Sequence, residues 1–345
     1  MEYILTGDIG GTKTRLAVVT VSGTTINIVY EVSYASREYA TFEELVADFL
    51  SRTKSYAKER QAPHADKDHR LQVEHAALGI AGPVLGGLVL TTNLPWRIDA
   101  DALVSRFGFN RCSLLNDLEA TAYGLPALDD ADLHTLQTGD TNALGNGAII
   151  AAGTGLGEAG LFWNGAAYQP FATEGGHTSF SPGSELDIAF LSHLKLQRKH
   201  VSWERVVSGM GLLSMHEFLC LHRQTPPPQW LLEEQKNGDA AAAISKAALA
   251  ESDDICVETM KWFVHLYGAE AGNLALKVMS RGGIYLGGGI APKILPLLMT
   301  GNFVESFLNK GRMRKLLEAV PIKVILNDRA ALYGPALFAA QSASD

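Results

Sequence analysis

Short runs of Ile, Leu and Val separated by turn residues open the chain. They occupy residues 3–8, 14–21 and 24–32, and an Asp-Ile-Gly-Gly-Thr-Lys turn at 8–13 separates the first two. Apolar runs of this length bounded by glycine are typical of β-strands. The pattern therefore predicts a hairpin followed by a third strand.

Helical spacing replaces this pattern after Thr41. Apolar positions recur at helical intervals from Phe42 to Leu50, and Thr41 with Glu44 forms the pair typical of a capping box. A helix of about four turns is expected to begin there. The charged stretch at 52–72 is expected to end this helix and to continue as a surface loop, a local insertion.

Strands and helices alternate after this segment, and helices dominate from residue 185. Strands are predicted at 76–81, 88–92, 112–116, 148–152, 158–162, 284–286 and 322–326, and helices at 100–107, 119–123, 185–196, 203–207, 212–221, 240–250, 255–279 and 329–340. Three prolines at 226–228 predict a rigid loop, because proline cannot continue a helix. The pattern predicts an α/β fold, with an α/β unit in the first third of the chain and a second domain that is mostly helical on a sheet.

Composition and charge narrow the classes of protein and partner. The 345 residues are 47% hydrophobic and 19% charged, so the chain can bury a core. Lys and Arg number 29 against 37 Asp and Glu, giving a net charge of −8 without a basic run, so no nucleic acid partner is expected. No apolar stretch approaches the ~18 residues of a membrane span, and residues 1–8 do not resemble a secretory signal, so no membrane partner is expected.

Cysteine usage argues for a reducing compartment. Cys112, Cys220 and Cys256 are odd in number and far apart in sequence, which argues against a disulfide framework and against a structural zinc site. His177 has neither a nearby cysteine nor a second histidine at i+4, so a zinc site there is also disfavoured. A cytoplasmic location is the simplest interpretation.

Two glycine-rich loops, at 7–12 and 153–157, each lie between apolar strands and predict phosphate-binding hairpins. Glycine lets backbone N–H groups approach a polyphosphate, threonine hydroxyls add donors, and the carboxylate of Asp8 is suited to hold Mg²⁺ through water. A third loop at 287–289 is suited to pack against an adenine. The candidate nucleotide-binding residues are Gly7, Asp8, Ile9, Gly10, Gly11, Thr12, Gly153, Thr154, Gly155, Gly287, Gly288 and Gly289.

The glycine loops do not match two other nucleotide-binding motifs, the dinucleotide-binding motif and the Walker A loop. Residues 155–160 match G-x-G-x-x-G, but the strand pattern Leu161-Phe162-Trp163 follows where a dinucleotide site needs a helix. A Walker A loop fails because Thr12 separates Gly11 from the lysine. An ordinary hairpin turn remains the alternative for each loop taken alone.

Five polar residues form a candidate sugar-binding set: Asn116, Asp117, Glu174, His177 and Glu204. Asp117 follows a predicted strand, where open α/β sheets place ligands, although a helix N-cap is the alternative role. Glu174 and His177 flank two glycines of a turn. Glu204 follows Ser202, which is predicted to cap a helix, so a favourable interaction with the helix dipole is its alternative role. Together these donors and acceptors suit the hydroxyls of a sugar.

These motifs, in this order, resemble those of bacterial glucokinases of the hexokinase-type group, within the sugar kinase, heat-shock ATPase and actin superfamily. The loop at 7–12 resembles the first phosphate motif of the family, 115–117 its sugar and base motif, and 153–157 its second phosphate motif. Residues 174–177 and 201–209 resemble further sugar-site segments, and 286–290 the adenosine motif. Lys13 stands where many members carry Asn. The cysteine-rich zinc segment of the related regulator-type sugar kinases is missing after residue 177.

The resemblance implies a two-domain actin-like ATPase (ribonuclease H-like) fold with an active-site cleft between the domains. The small α/β domain is expected to comprise residues 1–115 plus 327–345, and the large α+β domain residues 116–326. It implies transfer of the γ-phosphoryl group of ATP to the 6-hydroxyl of glucose, with Asp117 as general base. The sugar would be held by Asn116, Glu174, His177 and Glu204. Asp8 would act through Mg²⁺. The family resemblance also leads us to expect a homodimer. The alternatives are a kinase for another hexose or amino sugar, a variant using polyphosphate or ADP, and a sugar-sensing or assembly protein with an idle site.

Overall fold

The computed structural model describes residues 2–60, 66, 68, 71–91, 94–238 and 240–342. The chain divides into two compact units, one of residues 1–129 with 327–345 and the other of residues 130–326. The first boundary differs from the predicted 115/116, because the helix after residue 116 packs against the C-terminal helix of the first unit. Asn116 and Asp117 therefore belong to the first unit.

The sheet of the first unit has five strands in the order β3-β2-β1-β4-β7. β1 forms antiparallel pairs with β2, and β2 with β3, whereas β1, β4 and β7 run parallel. β5 and β6 form a separate hairpin. The strands of this unit are β1 (Tyr3–Ile9), β2 (Lys13–Ser22), β3 (Thr25–Ala35), β4 (Val73–Ile80), β5 (Leu88–Leu90), β6 (Arg97–Asp99) and β7 (Arg111–Asn116).

Helices cover both faces of this sheet, so its central strands are buried on both sides. The helices are α1 (Phe42–Arg60), α2 (Ala100–Phe107), α3 (Asp117–Gly124) and α12 (Ala330–Ser342). One face packs its apolar side chains with those of α1 and α2, and the other packs with α12. As predicted, Thr41 accepts a hydrogen bond from the backbone nitrogen of Glu44 at 3.3 Å where α1 begins.

Close packing of α3 against α12 fixes the start of α3 relative to the sheet. Gly124 of α3 leaves no room for a side chain against the Ala330 backbone, and Gly334 of α12 leaves none against the Ala120 carbonyl. Gly79 of β4 lies close to the Ala120 side chain in the same way. Glycine is needed at Gly124 and Gly334 because two helix backbones meet there, and at Gly79 because the Ala120 methyl group fills the space.

The sheet of the second unit repeats the order of the first and adds one strand, giving β11-β10-β9-β12-β13-β8. β9 and β10 form an antiparallel hairpin, β10 pairs antiparallel with β11, and β9, β12 and β13 run parallel. The strands are β8 (Leu133–Gln137), β9 (Gly147–Ala152), β10 (Leu156–Trp163), β11 (Tyr168–Thr173), β12 (Gly283–Gly287) and β13 (Ile322–Ile325).

Helices of the second unit surround the long helix α8, which is buried along much of its length. Tyr267 of α8 donates a hydrogen bond to the carbonyl of Ile150 in β9 at 3.1 Å and so ties the helix to the sheet. The helices are α4 (Glu185–Lys195), α5 (Gly209–His222), α6 (Gln229–Asn237), α7 (Ala240–Leu249), α8 (Asp254–Val278), α9 (Leu295–Leu298), α10 (Asn302–Leu308) and α11 (Arg314–Glu318).

Several elements differ from the sequence predictions. The prolines at 226–228 lie in a loop as predicted, but Pro228 directly caps α6, a helix that was not predicted. The predicted helix at 203–207 is a single 3-10 turn over Trp203–Arg205. The predicted strand at 88–92 is observed as β5, and residue 92 lies outside the described residues, as does much of the predicted loop at 52–72. Among the described residues, none of the helices combines the length and apolar character that crossing a membrane requires.

Gly334→Ala is expected to lower the stability of the protein. In an open helix this change favours folding by about 1 kcal/mol, but here the new methyl group would meet the Ala120 carbonyl. Overpacking of this kind costs about 1–3 kcal/mol. The denaturant midpoint measures the effect, and Gly183→Ala is the control because its nearest neighbouring atom would lie 3.8 Å away. A Gly334→Ala protein as stable as the parent would contradict the close crossing of α3 and α12.

Candidate active site

The first glycine loop is the tight turn between β1 and β2. Gly10 donates its backbone N–H to the Lys13 carbonyl at 3.0 Å, and the buried Ser36 hydroxyl donates to the Gly10 carbonyl at 2.8 Å. Ser36 also contacts the Thr14 hydroxyl at 2.9 Å. The loop is thus held from inside the unit while Thr12 at its tip is exposed. Ser36 was not singled out by sequence, because it lies far along the chain from the loop.

Asp8 lies at the end of β1, opposite Arg15 of β2 in the hairpin register. Burial raises the pKa of the Asp8 carboxyl, and the positive charge of Arg15 opposes this shift. Arg15 donates two hydrogen bonds to Asp328, at 2.7 and 3.3 Å, and this contact lowers the pKa of Asp328. A dication beside Asp8 would offset the cost of its buried charge, and carboxylate oxygen is a ligand that Mg²⁺ prefers. The residues present therefore fit Mg²⁺ at Asp8.

Asn116 ends β7 and caps α3. Its side-chain oxygen accepts from the Leu118 backbone at 3.0 Å, its amide nitrogen donates to the Gly82 carbonyl at 3.1 Å, and Glu119 completes the capping box. Asn116 is therefore the N-cap of α3, the role that the sequence offered as the alternative for Asp117, and Asp117 is the first residue of the helix. The Leu118 N–H also contacts Asp117 Oδ1 at 2.9 Å, which orients that carboxylate.

Asp117 and the first glycine loop lie at the same edge of the first sheet. The parallel register aligns Ile9 of β1, Ile80 of β4 and Asn116 of β7 in one row. One strand separates β1 from β7, so their backbones are about 10 Å apart, which is two strand spacings. This edge holds the carboxyl ends of parallel strands, where α/β sheets bind ligands.

The second glycine loop is the turn between β9 and β10, and Glu204 is bonded to it. Gly153 donates to the Gly155 carbonyl and Gly209 donates to the Gly153 carbonyl, both at 2.9 Å. Glu204 Oε2 accepts the Leu156 backbone N–H at 3.2 Å, and it occupies the space that a side chain at Gly155 would need. Glu204, predicted only as a sugar ligand, also supports the predicted phosphate loop.

The Glu174 and His177 side chains are exposed at the ends of one 3-10 turn. Glu174 Oε2 lies 3.8 Å from His177 Nε2, and both side chains are more than half exposed. The backbone N–H of Trp203 donates to the Thr178 carbonyl at 3.0 Å. This bond holds the turn beside the 3-10 turn that contains Glu204. The second unit therefore brings three of the five predicted sugar ligands into one region.

The third glycine loop follows β12 and lies against the end of β9. Ile290 donates to the Ala152 carbonyl at 3.2 Å. Gly288 has a φ of +78° and no room for a side chain against the Ala152 backbone. Because Ala152 directly precedes the second loop, the structure places the two predicted nucleotide loops of this unit next to each other.

Comparisons with known proteins identify the family. A sequence model of the glucokinase family matches residues 5–342. The chain is 41% identical over 355 residues to a glucokinase of Trichormus variabilis, covering 99% of this chain and 100% of the relative. The chain belongs to the glucokinase family. The prediction of a kinase of this family is confirmed, and so is the enzyme class.

Solved structures confirm the fold class as well. The crystal structure of a glucokinase from an Antarctic psychrotroph is similar with a TM-score of 0.83 and 29% identity, covering 99% of each chain. A ROK family glucokinase from Streptomyces griseus, solved in complex with glucose and AMPPNP, gives a TM-score of 0.63 at 23% identity and covers 98% of this chain and 99% of that one. The predicted actin-like α/β fold of a glucokinase is thus confirmed, and the roles of individual residues stay predictions.

A buried pair of carboxyl groups lies beneath the Glu174–His177 turn of this glucokinase family member. Glu158 of β10 is 2% exposed, and its carboxylate fills the space that a side chain at Gly175 would need. Burial and the neighbouring Glu270 raise the pKa of Glu158 to about 8. Two carboxylates offer only acceptors, so Glu158 Oε1 has no donor among the described residues until the pair takes up a proton.

Glu270 completes this cluster from α8. It accepts from Lys277 at 3.1 Å and from Asn273 at 2.7 Å, and Lys310 donates to Asn273 at 2.6 Å. Burial raises the pKa of Glu270, and these donors oppose the shift. Sequence reasoning missed the pair, because no local pattern links β10 to α8.

Glu158→Gln is expected to flatten the dependence of stability on pH. The pKa of Glu158 lies near 8 in the folded protein and 4.5 is its ordinary value. The folded state therefore binds the extra proton between these pH values, and the free energy of unfolding falls as pH rises through this window, by at most about 1.4 kcal/mol per pH unit. Glutamine cannot ionise, so the variant should lose less stability over the same range.

Urea unfolding at several pH values across that window measures the slope. Glu234→Gln, at an exposed glutamate of α6, is the matched control and should follow the parent protein. Equal slopes for Glu158→Gln and the parent would contradict a raised pKa at Glu158.

Proposed function

We propose that the chain transfers the γ-phosphoryl group of ATP to the 6-hydroxyl of glucose, giving glucose 6-phosphate and ADP, with Asp117 as the general base. The main supporting observation is the position of Asp117 at the start of α3, on the same carboxyl edge of the sheet as the loop between β1 and β2. Asn116 caps α3 through the Leu118 N–H, which also contacts the Asp117 carboxylate and orients it. The family membership and the glucose and AMPPNP in the Streptomyces griseus relative support the choice of substrates.

In the proposed reaction, the 6-hydroxyl oxygen forms a bond to the γ-phosphorus while the bond from that phosphorus to the bridging oxygen of ADP breaks. The hydroxyl proton passes to the Asp117 carboxylate. Catalysis of this kind depends on in-line positioning and on donors aimed at the phosphoryl oxygens. The backbone N–H groups at 11–12 and 154–155 are the proposed donors, because Gly10 and Gly153 donate theirs within the turns and hydrogen bonds from elsewhere in each unit hold both turns.

The sugar hydroxyls are proposed to bond to Glu174, His177, Glu204 and Asn116. Glu174 and His177 have exposed polar atoms for this purpose. Asn116 uses its side-chain oxygen for the cap of α3, so its contact with the sugar is proposed to come from the amide nitrogen. A site that bonds each hydroxyl discriminates against analogues that lack one, since its own groups would be left unpaired.

The nucleotide is proposed to contact the three glycine loops. Residues 7–12 and 153–155 would face the phosphates, and residues 287–289 the adenine. Asp8 would hold Mg²⁺ through water, and the ion, when bound, supplies charge neutralisation for the phosphates. Arg15 and Asp328 form an ion pair. Arg15 lowers the pKa of Asp8 and Asp328 raises it, so the two charges partly cancel at this carboxylate. A homodimer and a cytoplasmic location are further proposals, which rest on the resemblance to the hexokinase-type group.

Asp117→Asn is expected to lower the turnover number by a factor of ~10² to 10⁴, the usual contribution of a general base. Asparagine keeps the shape and the contact with the Leu118 N–H, so glucose binding measured by calorimetry should persist. Asp101→Asn is the matched control, because Asp101 is an exposed carboxylate in the first turn of α2 and should not affect turnover. Turnover near that of the parent in Asp117→Asn would exclude this residue as the base.

A further inference from the structure

The second unit contains a cluster of metal-binding residue types away from the candidate active site. His216 lies on α5, Asp253 caps α8, and Cys256 lies in the first turn of α8. One ligand atom from each of these residues lies within 4.8 Å of the others. Cys220 follows one turn after His216, and its Sγ lies 3.7 Å from His216 Nδ1. The cluster therefore offers one nitrogen, two sulfurs and one carboxylate.

The chemistry and burial of these groups match a closed zinc site. Zinc prefers four ligands drawn from His nitrogen, Cys sulfur and carboxylate oxygen, in a tetrahedron. With the usual bond lengths, nitrogen and sulfur ligands of one zinc ion are about 3.5 Å apart, close to the distance between Cys220 and His216. His216 and Cys256 have no exposed surface and Cys220 is 6% exposed, as expected for a structural rather than a catalytic metal.

We propose that His216, Cys220, Asp253 and Cys256 bind one zinc ion that joins α5 to α8. His216, Asp253 and Cys256 form the core of the site. Cys220 is the proposed fourth ligand, because its Sγ lies 3.7 and 3.9 Å from the two ring nitrogens of His216. The two thiol groups lie far apart in sequence, so the spacing of the cysteines gives no sign of a zinc site. Only the packing of α5 against α8 brings the pattern His-x-x-x-Cys together with the pattern Asp-x-x-Cys.

Carboxyl groups around the cluster favour a dication. Asp253 and Glu217 both act electrostatically on Cys220. Zinc would supply positive charge beside these carboxyl groups, and it would displace the thiol protons of Cys220 and Cys256 on binding.

Cobalt titration of the whole protein, purified reduced and stripped of metal, tests the proposal. The site should bind one equivalent of Co²⁺ with a thiolate-to-cobalt charge-transfer band and the strong ligand-field absorption of a tetrahedral ion. Added Zn²⁺ should displace the cobalt and raise the thermal midpoint. Absence of the charge-transfer band in the parent protein would overturn the proposal, and this result does not depend on any variant folding.

Cysteine variants identify the ligands. Cys256→Ser should abolish the charge-transfer band and the thermal shift, and Cys220→Ser should weaken cobalt binding. Cys112→Ser is the matched control, because Cys112 lies on β7 of the first unit, and it should bind cobalt as the parent does. An unchanged titration in Cys256→Ser or Cys220→Ser, or a disulfide between Cys220 and Cys256 with no metal bound by the reduced protein, would contradict the four-ligand site.

Discussion

The candidate nucleotide loops depend on hydrogen bonds that hold each glycine hairpin from inside its own unit. Ser36 bonds to the Gly10 carbonyl in the first unit. In the second unit, Gly209 bonds to the Gly153 carbonyl, and Glu204 accepts the N–H of Leu156. Fixing a glycine turn in one conformation costs backbone entropy, and these hydrogen bonds offset that cost. These contacts allow residues with almost no side chain to present a fixed row of backbone donors.

Two polar residues near the loops combine a structural contact with a proposed ligand contact. Glu204 supports the second hairpin and is also in position beside the Glu174–His177 turn. Asn116 caps α3 and thereby orients that helix, while its neighbour Asp117 occupies the sheet edge. A substitution at Glu204 or Asn116 therefore affects local structure as well as any ligand contact.

Local patterns predicted most of the fold, and contacts distant in sequence account for the differences. The hairpins, α2 and the start of α1 follow from apolar spacing, turn glycines and a cap, all of which are local. α6 was missed because the prolines before it indicate a loop and give no sign that a helix follows. The first unit extends to residue 129 because α3 packs against α12, a contact between opposite ends of the chain. Contacts between segments distant in sequence also explain why sequence reasoning missed Ser36, the pair of Glu158 and Glu270, and the group around Cys256. The predicted cleft between the domains stays a prediction.

The glucose dependence of ADP formation tests the central claim most directly. The purified protein, given ATP and Mg²⁺, is expected to release ADP only when glucose is present and to form an equal amount of glucose 6-phosphate. ADP release at the same rate without glucose, or no release with glucose present, would contradict the assignment of the hairpins and Asp117 to phosphoryl transfer onto this sugar.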